Sequence, residues 1–414
     1  MQEAGIFRRA QWRMLLITMF CYLFFYTGRH NFGWASKDLA GDLGISYALI
    51  GWISAGMLFG YAFGQLVNGN LADRFSPRAM ILLGGVLSVM ANVAISFSSD
   101  YLAILVLWTL NGYFQSLAWA PGSRLISNWW RPEERGKAFG LYTMAAGSSS
   151  VVTFLVSIVI LNNGVEWPYL FRLPVLFLLF AVLLFYLVAR DKPSELGFSD
   201  LYRTKQPNGI DSWTTRYSAV FQNKKFMIAS VSLGFESMAR YGLIVWVPLY
   251  FLGSSDGKFE NLWGSLFLPI GMAVGALSFG FISDSLFKGN RHRSIFLGMA
   301  VAALVLVGIY VAPADNWPLG ALLMFLAGFF VYGPQANFWP LSPDMLGDRL
   351  VGTGVGVMNT FAYLFAALGE PLLGKVIDLT DSASVFVALA CICTLSAATI
   401  LVSERWPSIT GKSE

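Results

Sequence analysis

Apolar residues in this chain come in long unbroken runs rather than in regular alternation with polar ones. At about 20 residues and 1.5 Å of rise per residue, each run is long enough to cross a hydrocarbon layer roughly 30 Å thick as an α-helix. The pattern predicts spans near 12–38, 46–71, 78–98, 101–127, 137–162, 168–189, 225–252, 261–286, 294–313, 317–342, 351–376 and 382–403. The first is irregular, because its clean apolar stretch from Met14 to Gly28 is short and must continue through Arg29 to reach the far side. One long polar segment, Asp191 to Asn223, carries Pro193, Gly197, Pro207 and Gly209 and reads as a linker. The predicted organisation is an all-α integral membrane protein with twelve transmembrane helices in two six-helix pseudo-symmetric halves, residues 1–190 and 224–414, joined by a cytoplasmic linker at 191–223.

Composition agrees with lipid as the solvent. Hydrophobic residues make up 56% of the chain and charged residues 13%, against about 25% charged in soluble domains. Cys21, Cys391 and Cys393 all lie inside apolar runs, and His30 and His292 stand far apart without an acidic cluster. Neither a disulfide framework nor a metal site is legible, and no cofactor is implied. No nucleophile, base and orienting group occur together at a spacing that suits catalysis, so an enzyme is the least expected class. Arg8, Arg9 and Arg13 precede the first run as in a secretory leader, but no small-residue cleavage site follows, which reads as an uncleaved first span.

Charge decides orientation. One side collects Arg74, Arg78, Arg124, Arg131, Arg135, Arg190, Lys225, Arg291, Arg293 and Arg405 among others, while the opposite side receives Lys37, Arg172, Lys258 and Lys375. The positive-inside rule then places both termini in the cytoplasm of a cell whose inner, or plasma, membrane the chain crosses many times. The net charge of +4 follows from this bias, and nucleic acid need not be a partner.

The two halves share a register. Gly69 to Asp73 ends the second run and Gly280 to Asp284 the eighth, an offset of 280 − 69 = 211. The same offset carries Arg29 onto Arg240, and Pro132, Glu133 and Gly136 onto Pro343, Asp344 and Gly347. Duplicated halves of this size are characteristic of secondary transporters, with the substrate held near the bilayer midplane where the repeats meet.

Arg29 and Arg240 are the strongest candidates for chemistry. A charge deep in a span costs on the order of 3 kcal/mol, so it persists where it faces a cavity or a partner. One guanidinium from each half, converging on one group, suits a phosphate or carboxylate, because the planar fork donates in pairs. The alternative is that each arginine is paired within its own half, for Arg240 by Glu236 four residues earlier on the same helix face. Tyr22, Tyr26 and Arg29 recur at helical spacing, which puts two hydroxyls on the arginine's stripe, and Gln115 is a further polar group at membrane depth that suits substrate or interhelical bonding equally. Asp73 and Arg74 of the first GxxxD motif, Arg135 in the Glu134–Gly136 turn and Asp284 of the second motif suit conformational gating at the cytoplasmic ends. Glu236 and Glu370 are acids within spans, eligible as charge partners or proton carriers.

Several stretches carry a family resemblance. Phe20 to Phe32 (FCYLFFYTGRHNF), Gly112 to Trp130 with the Glu-Arg-Gly turn, Ala239 to Phe251 (ARYGLIVWVPLYF) and Gly328 to Gln335 (GFFVYGPQ) resemble the first, fourth, seventh and tenth helices of the organophosphate:phosphate antiporters of the major facilitator superfamily. The resemblance covers essentially the whole chain. It implies the major facilitator fold, phosphate contact by Arg29 and Arg240, exchange for inorganic phosphate, and a monomer. Where the family's glycerol-3-phosphate carriers have a histidine in the fifth helix and a lysine in the second, this chain has Ala146 and Gln65, and His30 replaces the lysine that follows the first arginine. A site poorer in positive charge implies a larger or less charged substrate, or one that is not a phosphate ester. Two alternatives stay open: a proton-coupled symporter of a sugar acid or sulfonate, and a non-transporting sensor of sugar phosphates.

Overall fold

A computed structural model of the chain describes residues 2–71, 75–200, 213–254, 259–312, 316–347 and 350–406. Every regular element in them is helical, which follows from a solvent that offers peptide groups no partner, so that each N–H must bond within its own segment. The chain forms two compact units, Met1–Gln206 and Pro207–Glu414.

The first unit contains α1 (Gln2–Phe25), α2 (Phe32–Leu43), α3 (Tyr47–Leu71), α4 (Pro77–Ile95), α5 (Tyr101–Gln115), α6 (Trp119–Trp129), α7 (Pro132–Asn162) and α8 (Tyr169–Val188). The second contains α9 (Trp213–Gln222), α10 (Lys224–Ser254), α11 (Phe267–Leu286), α12 (Arg291–Val311), α13 (Trp317–Tyr332), α14 (Gln335–Phe338), α15 (Leu341–Leu346), α16 (Val351–Leu379) and α17 (Ser384–Arg405). Among the described residues, nine helical stretches are long and apolar enough to cross a membrane, the first Tyr47–Gln65 and the last Ser384–Arg405. Neither α1, which precedes Arg29, nor α10, which carries Arg240, is among the nine.

Packing inside each unit follows one scheme. In the first, α3 lies against α5, α4 against α5 and α8, and α1 against α7 and α8. In the second, α11 lies against α13, α12 against α13 and α17, and α10 against α16 and α17. Glycines set the closest approaches at corresponding places. A Cβ on Gly60 would collide with the Thr109 carbonyl and one on Gly112 with the Met57 carbonyl, while Gly271 and Gly328 stand in the same relation to the carbonyls of Phe325 and Leu268. Gly60 and Gly271 differ by the same 211 residues as the two GxxxD motifs. Without a hydrophobic drive between helices in lipid, backbone contact across small residues is what holds such pairs.

Helix starts repeat as well. Ser76 and Asp100 cap α4 and α5 by accepting from the amides of Ala79 (3.2 Å) and Ala103 (2.7 Å). Asn290 and Asn316 do the same for α12 and α13 through Arg293 and Leu319, both at 3.2 Å. Each cap satisfies an amide that the first helical turn leaves without a partner.

The structure refines the expectations at three places. The first helix starts at Gln2 rather than near residue 12, because its polar end is packed against protein. There Gln11 donates to the Trp129 carbonyl at 2.7 Å, and Arg8 meets Glu134 at 2.6 Å and covers the Trp130 ring at 4.9 Å. The spans predicted at 12–38, 101–127 and 317–342 contain helix breaks after Phe25, Gln115 and Tyr332, the last two within single stretches long enough to cross a membrane. Within the stretch read as a linker, Pro193–Leu196 form a 3-10 turn and Trp213–Gln222 form helix α9.

Gly112→Ala is expected to lower the melting temperature of detergent-purified protein, by a loss of about 1–3 kcal/mol as in other overpacked contacts. Gly320→Ala, where an added methyl meets nothing within 4 Å, should leave it unchanged.

Candidate functional site

The site of the first unit is built around a break. After Phe25 the helix tightens into one 3-10 turn, Tyr26–Gly28, and resumes only at Phe32. Broken helices leave carbonyls without their usual amide, and in hydrocarbon each such group costs several kcal/mol unless another donor reaches it. Three buried amide side chains from neighbouring helices supply those donors. Asn92 and Asn111 both donate to the Gly28 carbonyl, at 3.1 and 2.8 Å, and Gln115 donates to the Phe25 carbonyl at 2.9 Å. The amides are held in turn: Ser88 donates to Asn111 at 2.6 Å and accepts from Gln115 at 2.8 Å, and Asn31 donates to Asn92 at 3.0 Å and to the Leu170 carbonyl at 2.9 Å. Position 28 is tight, since a Cβ there would press on Asn92, Gln115 and Ser88 within 3.2–3.3 Å and those side chains would have to shift.

Arg29 follows directly on this turn and is 4% exposed. Its guanidinium carbon lies 4.3 Å from the centre of the Tyr61 ring and 5.3 Å from that of Tyr26. Such stacking contributes about 0.5–2 kcal/mol and fixes the plane of the fork. Tyr22 is 5.7 Å from Tyr26, 5.4 Å from Trp119 and 4.9 Å from Tyr142 between ring centres, so the expected tyrosine stripe persists through the break as part of a larger aromatic cluster. His30 meets the Ser150 hydroxyl through Nδ1 at 3.0 Å. Gln65 has a buried amide nitrogen with no acceptor among the described residues. Gln115, open to substrate or interhelical bonding from the sequence, donates through its amide nitrogen to the Phe25 carbonyl and the Ser88 hydroxyl and so braces the break.

The second unit mounts Arg240 in a similar way with different residues. Its guanidinium carbon lies 4.4 Å from the Tyr241 ring centre and 5.2 Å from that of Tyr332. Tyr363 packs against Tyr241 with ring centres 5.9 Å apart. Glu236 is fully buried and accepts from the Ser237 hydroxyl at 3.0 Å. No ion pair within 4 Å joins it to Arg240 among the described residues, so the pairing expected from their spacing is a field interaction rather than a contact. Glu370, 1% exposed, faces the indole of Trp246 without either of its oxygens reaching full hydrogen-bond geometry.

The gating candidates fare unevenly. Asp73 and Arg74 lie outside the described residues, as does the side chain of Arg135. Asp284 is exposed, and the partner of Arg291 is Asp344, at 3.1 Å, rather than Asp284. Sequence reading missed Tyr61, Trp119, Tyr142, Tyr332, Asn92 and Asn111. Only polarity at membrane depth could have flagged the two asparagines, and nothing local marks the aromatics, because helices distant in sequence bring them in.

Helices of bilayer length, interrupted where polar groups gather, and a pairing scheme used twice define a polytopic membrane carrier. The chain belongs to the Major Facilitator Superfamily, whose pattern matches residues 18–370, and that is a family of transporters, not of enzymes. It is 27% identical to a probable hexose phosphate transport protein of Chlamydia pneumoniae, across 95% of this chain and 91% of that one. To a membrane sensor protein of Escherichia coli (strain K12) it is 26% identical, across 95% and 92%. Its fold matches the crystal structure of a bacterial homolog of the human lysosomal transporter Spinster with a TM-score of 0.76 over 95% of each chain, at 15% identity.

Asn111→Leu should lower the melting temperature in detergent, since it removes one donor from the Gly28 carbonyl and the acceptor of Ser88, a loss of about 1–3 kcal/mol. An unchanged melting temperature would count against the bracing role.

Proposed function

We propose that this chain is a secondary active transporter that moves an organic phosphate in exchange for inorganic phosphate by alternating access. The observation that carries this reading is the mounting of Arg240: a half-buried cation within helix α10, stacked on two tyrosines, with no carboxylate within 4 Å among the described residues. A buried cation needs an anion, and substrate is the anion that arrives and leaves. Arg29 is mounted on two tyrosines in its own unit, at the position that the 211-residue offset relates to Arg240. Each fork is a donor for the phosphoryl group of the substrate, with the Tyr26 and Tyr22 hydroxyls alongside Arg29 and Gln115 acting through the backbone it braces.

In this reading the chain crosses the membrane twelve times in two halves of six helices, works as a monomer in a bacterial inner membrane, and keeps both termini in the cytoplasm. Asp73, Arg74, Arg135 and Asp284 form the cytoplasmic contacts that open and close. Kinship with a hexose phosphate transport protein supports a phosphate ester, and Gln65, Ala146 and His30 in place of more basic residues favour one larger than glycerol 3-phosphate.

One observation favours a second reading, proton-coupled symport of another organic anion. Glu370 is buried against an indole with no cation beside it among the described residues, an environment in which a carboxyl group can carry a proton.

Reconstitution separates these. With vesicles loaded with inorganic phosphate, uptake of a hexose phosphate should accelerate, and Arg29→Ala and Arg240→Ala should each lower it by about 30-fold or more, the loss expected when one partner of a buried charge pair is removed. Retained uptake in both variants would sink the site. Uptake that ignores internal phosphate but follows an acid-outside gradient, and is abolished by Glu370→Gln, establishes symport. Ligand binding without uptake in any format establishes a sensor.

A further inference from the structure

The second unit holds a cavity that transport does not use. It measures about 630 Å³ and lies where the start of α12 meets the end of α17, the end that the basic bias assigns to the cytoplasm. Phe287, Phe296, Leu297 and Leu401 form its apolar wall, and Arg293, Glu404 and Arg405 its polar mouth. Glu404 is already engaged, accepting from Asn290 at 2.9 Å and from Arg293 Nε at 3.2 Å. That leaves the terminal nitrogens of Arg293 and the whole Arg405 guanidinium, which makes no ion pair among the described residues.

The corresponding corner of the first unit directs its arginines onto protein. There Asp191 holds the start of α4 through the Ser76 hydroxyl and the Arg78 amide, as Glu404 holds the start of α12. The Arg78 guanidinium turns inward, donating to the Ala189 carbonyl at 3.2 Å and lying 4.5 Å from the Tyr186 ring centre. Arg190 donates to the carbonyls of Leu187 and Ala189 at 3.0 and 2.7 Å. One packing scheme thus turns the corner arginines onto carbonyls and a tyrosine in one unit and leaves them facing outward around a hollow in the other.

We propose that this hollow binds the headgroup of an anionic phospholipid. Two guanidiniums against one carboxylate leave a single positive charge, which matches the single negative charge of a phosphodiester. The apolar wall continues as a stripe along α12, Leu297, Leu304 and Val311, which are 41%, 72% and 72% exposed. An acyl chain leaving the headgroup follows that stripe, whereas a soluble phosphate has no use for it. Trp406, 38% exposed at the end of α17, marks the same level as the membrane interface, where indoles collect. Basic pockets between helices on the cytoplasmic side are where such headgroups bind.

The test uses the full chain purified and stripped of lipid, followed by native mass spectrometry with added phosphatidylglycerol or phosphatidylcholine of the same acyl chains. Wild type should retain phosphatidylglycerol and not phosphatidylcholine. Arg405→Gln, which breaks no described contact and should not alter the melting temperature, should weaken retention about fivefold, and Arg293→Gln with Arg405→Gln about 25-fold, at roughly 1 kcal/mol per basic residue. Equal retention of the two lipids, or retention in Arg405→Gln equal to wild type, overturns the proposal. So does displacement of the lipid by an equal concentration of inorganic phosphate, which would make the hollow a site for soluble anions. None of these readouts depends on transport.

Discussion

Hydrocarbon is an unforgiving place for an unpaired peptide group, and that constraint shapes the first unit around Gly28. A straight helix through residues 12–38 would satisfy its own backbone, but the observed helix gives up that economy between Tyr26 and Asn31. It does so only because Asn92, Asn111 and Gln115 arrive from two other helices to take up the exposed carbonyls. Ser88 and Asn31 then hold those amides in place, so the network is nearly closed on itself. Buried polar networks of this kind are rigid when satisfied and costly when they are not. Arg29 inherits its position from that rigidity.

The second unit reaches a comparable arrangement by another route. Its arginine sits within the uninterrupted helix α10, and the nearby acid Glu236 bonds to Ser237 instead of clamping the guanidinium. Tyrosines stand beside both arginines, yet Tyr61 and Tyr332 are not related by the 211-residue offset that relates Arg29 to Arg240. The repeat has therefore kept the charge and the helix pairing while the aromatic supports diverged. A flat ring suits this job because it orients a guanidinium without neutralising it, which leaves the charge for a ligand.

Divergence also appears at the ends of the helices. Asp191 and Glu404 both tie the last helix of a unit to the start of α4 or α12, a local solution that serves stability. The arginines around them then take different directions, inward onto carbonyls and a tyrosine in one unit, outward around a hollow in the other. Equivalent backbone scaffolds do not fix equivalent surfaces, and function separates the halves where packing leaves the side chains free.

The apolar helical runs, the 211-residue register and the two arginines within apolar stretches were legible in the sequence because each rests on a one-dimensional signal: a run of apolar residues, a constant offset, a charge where none is tolerated cheaply. The stripe of Tyr22, Tyr26 and Arg29 was legible too, since helical spacing survives one 3-10 turn. What only the tertiary structure decided is where helices break and what repairs them. Asn92 and Asn111 look like isolated polar residues in apolar runs until the folded unit brings both to the Gly28 carbonyl, and Gln115 looks like a ligand group until its amide is seen bonded to Phe25. Those pairings join residues 64 to 90 positions apart, and no local pattern encodes a partner at that distance.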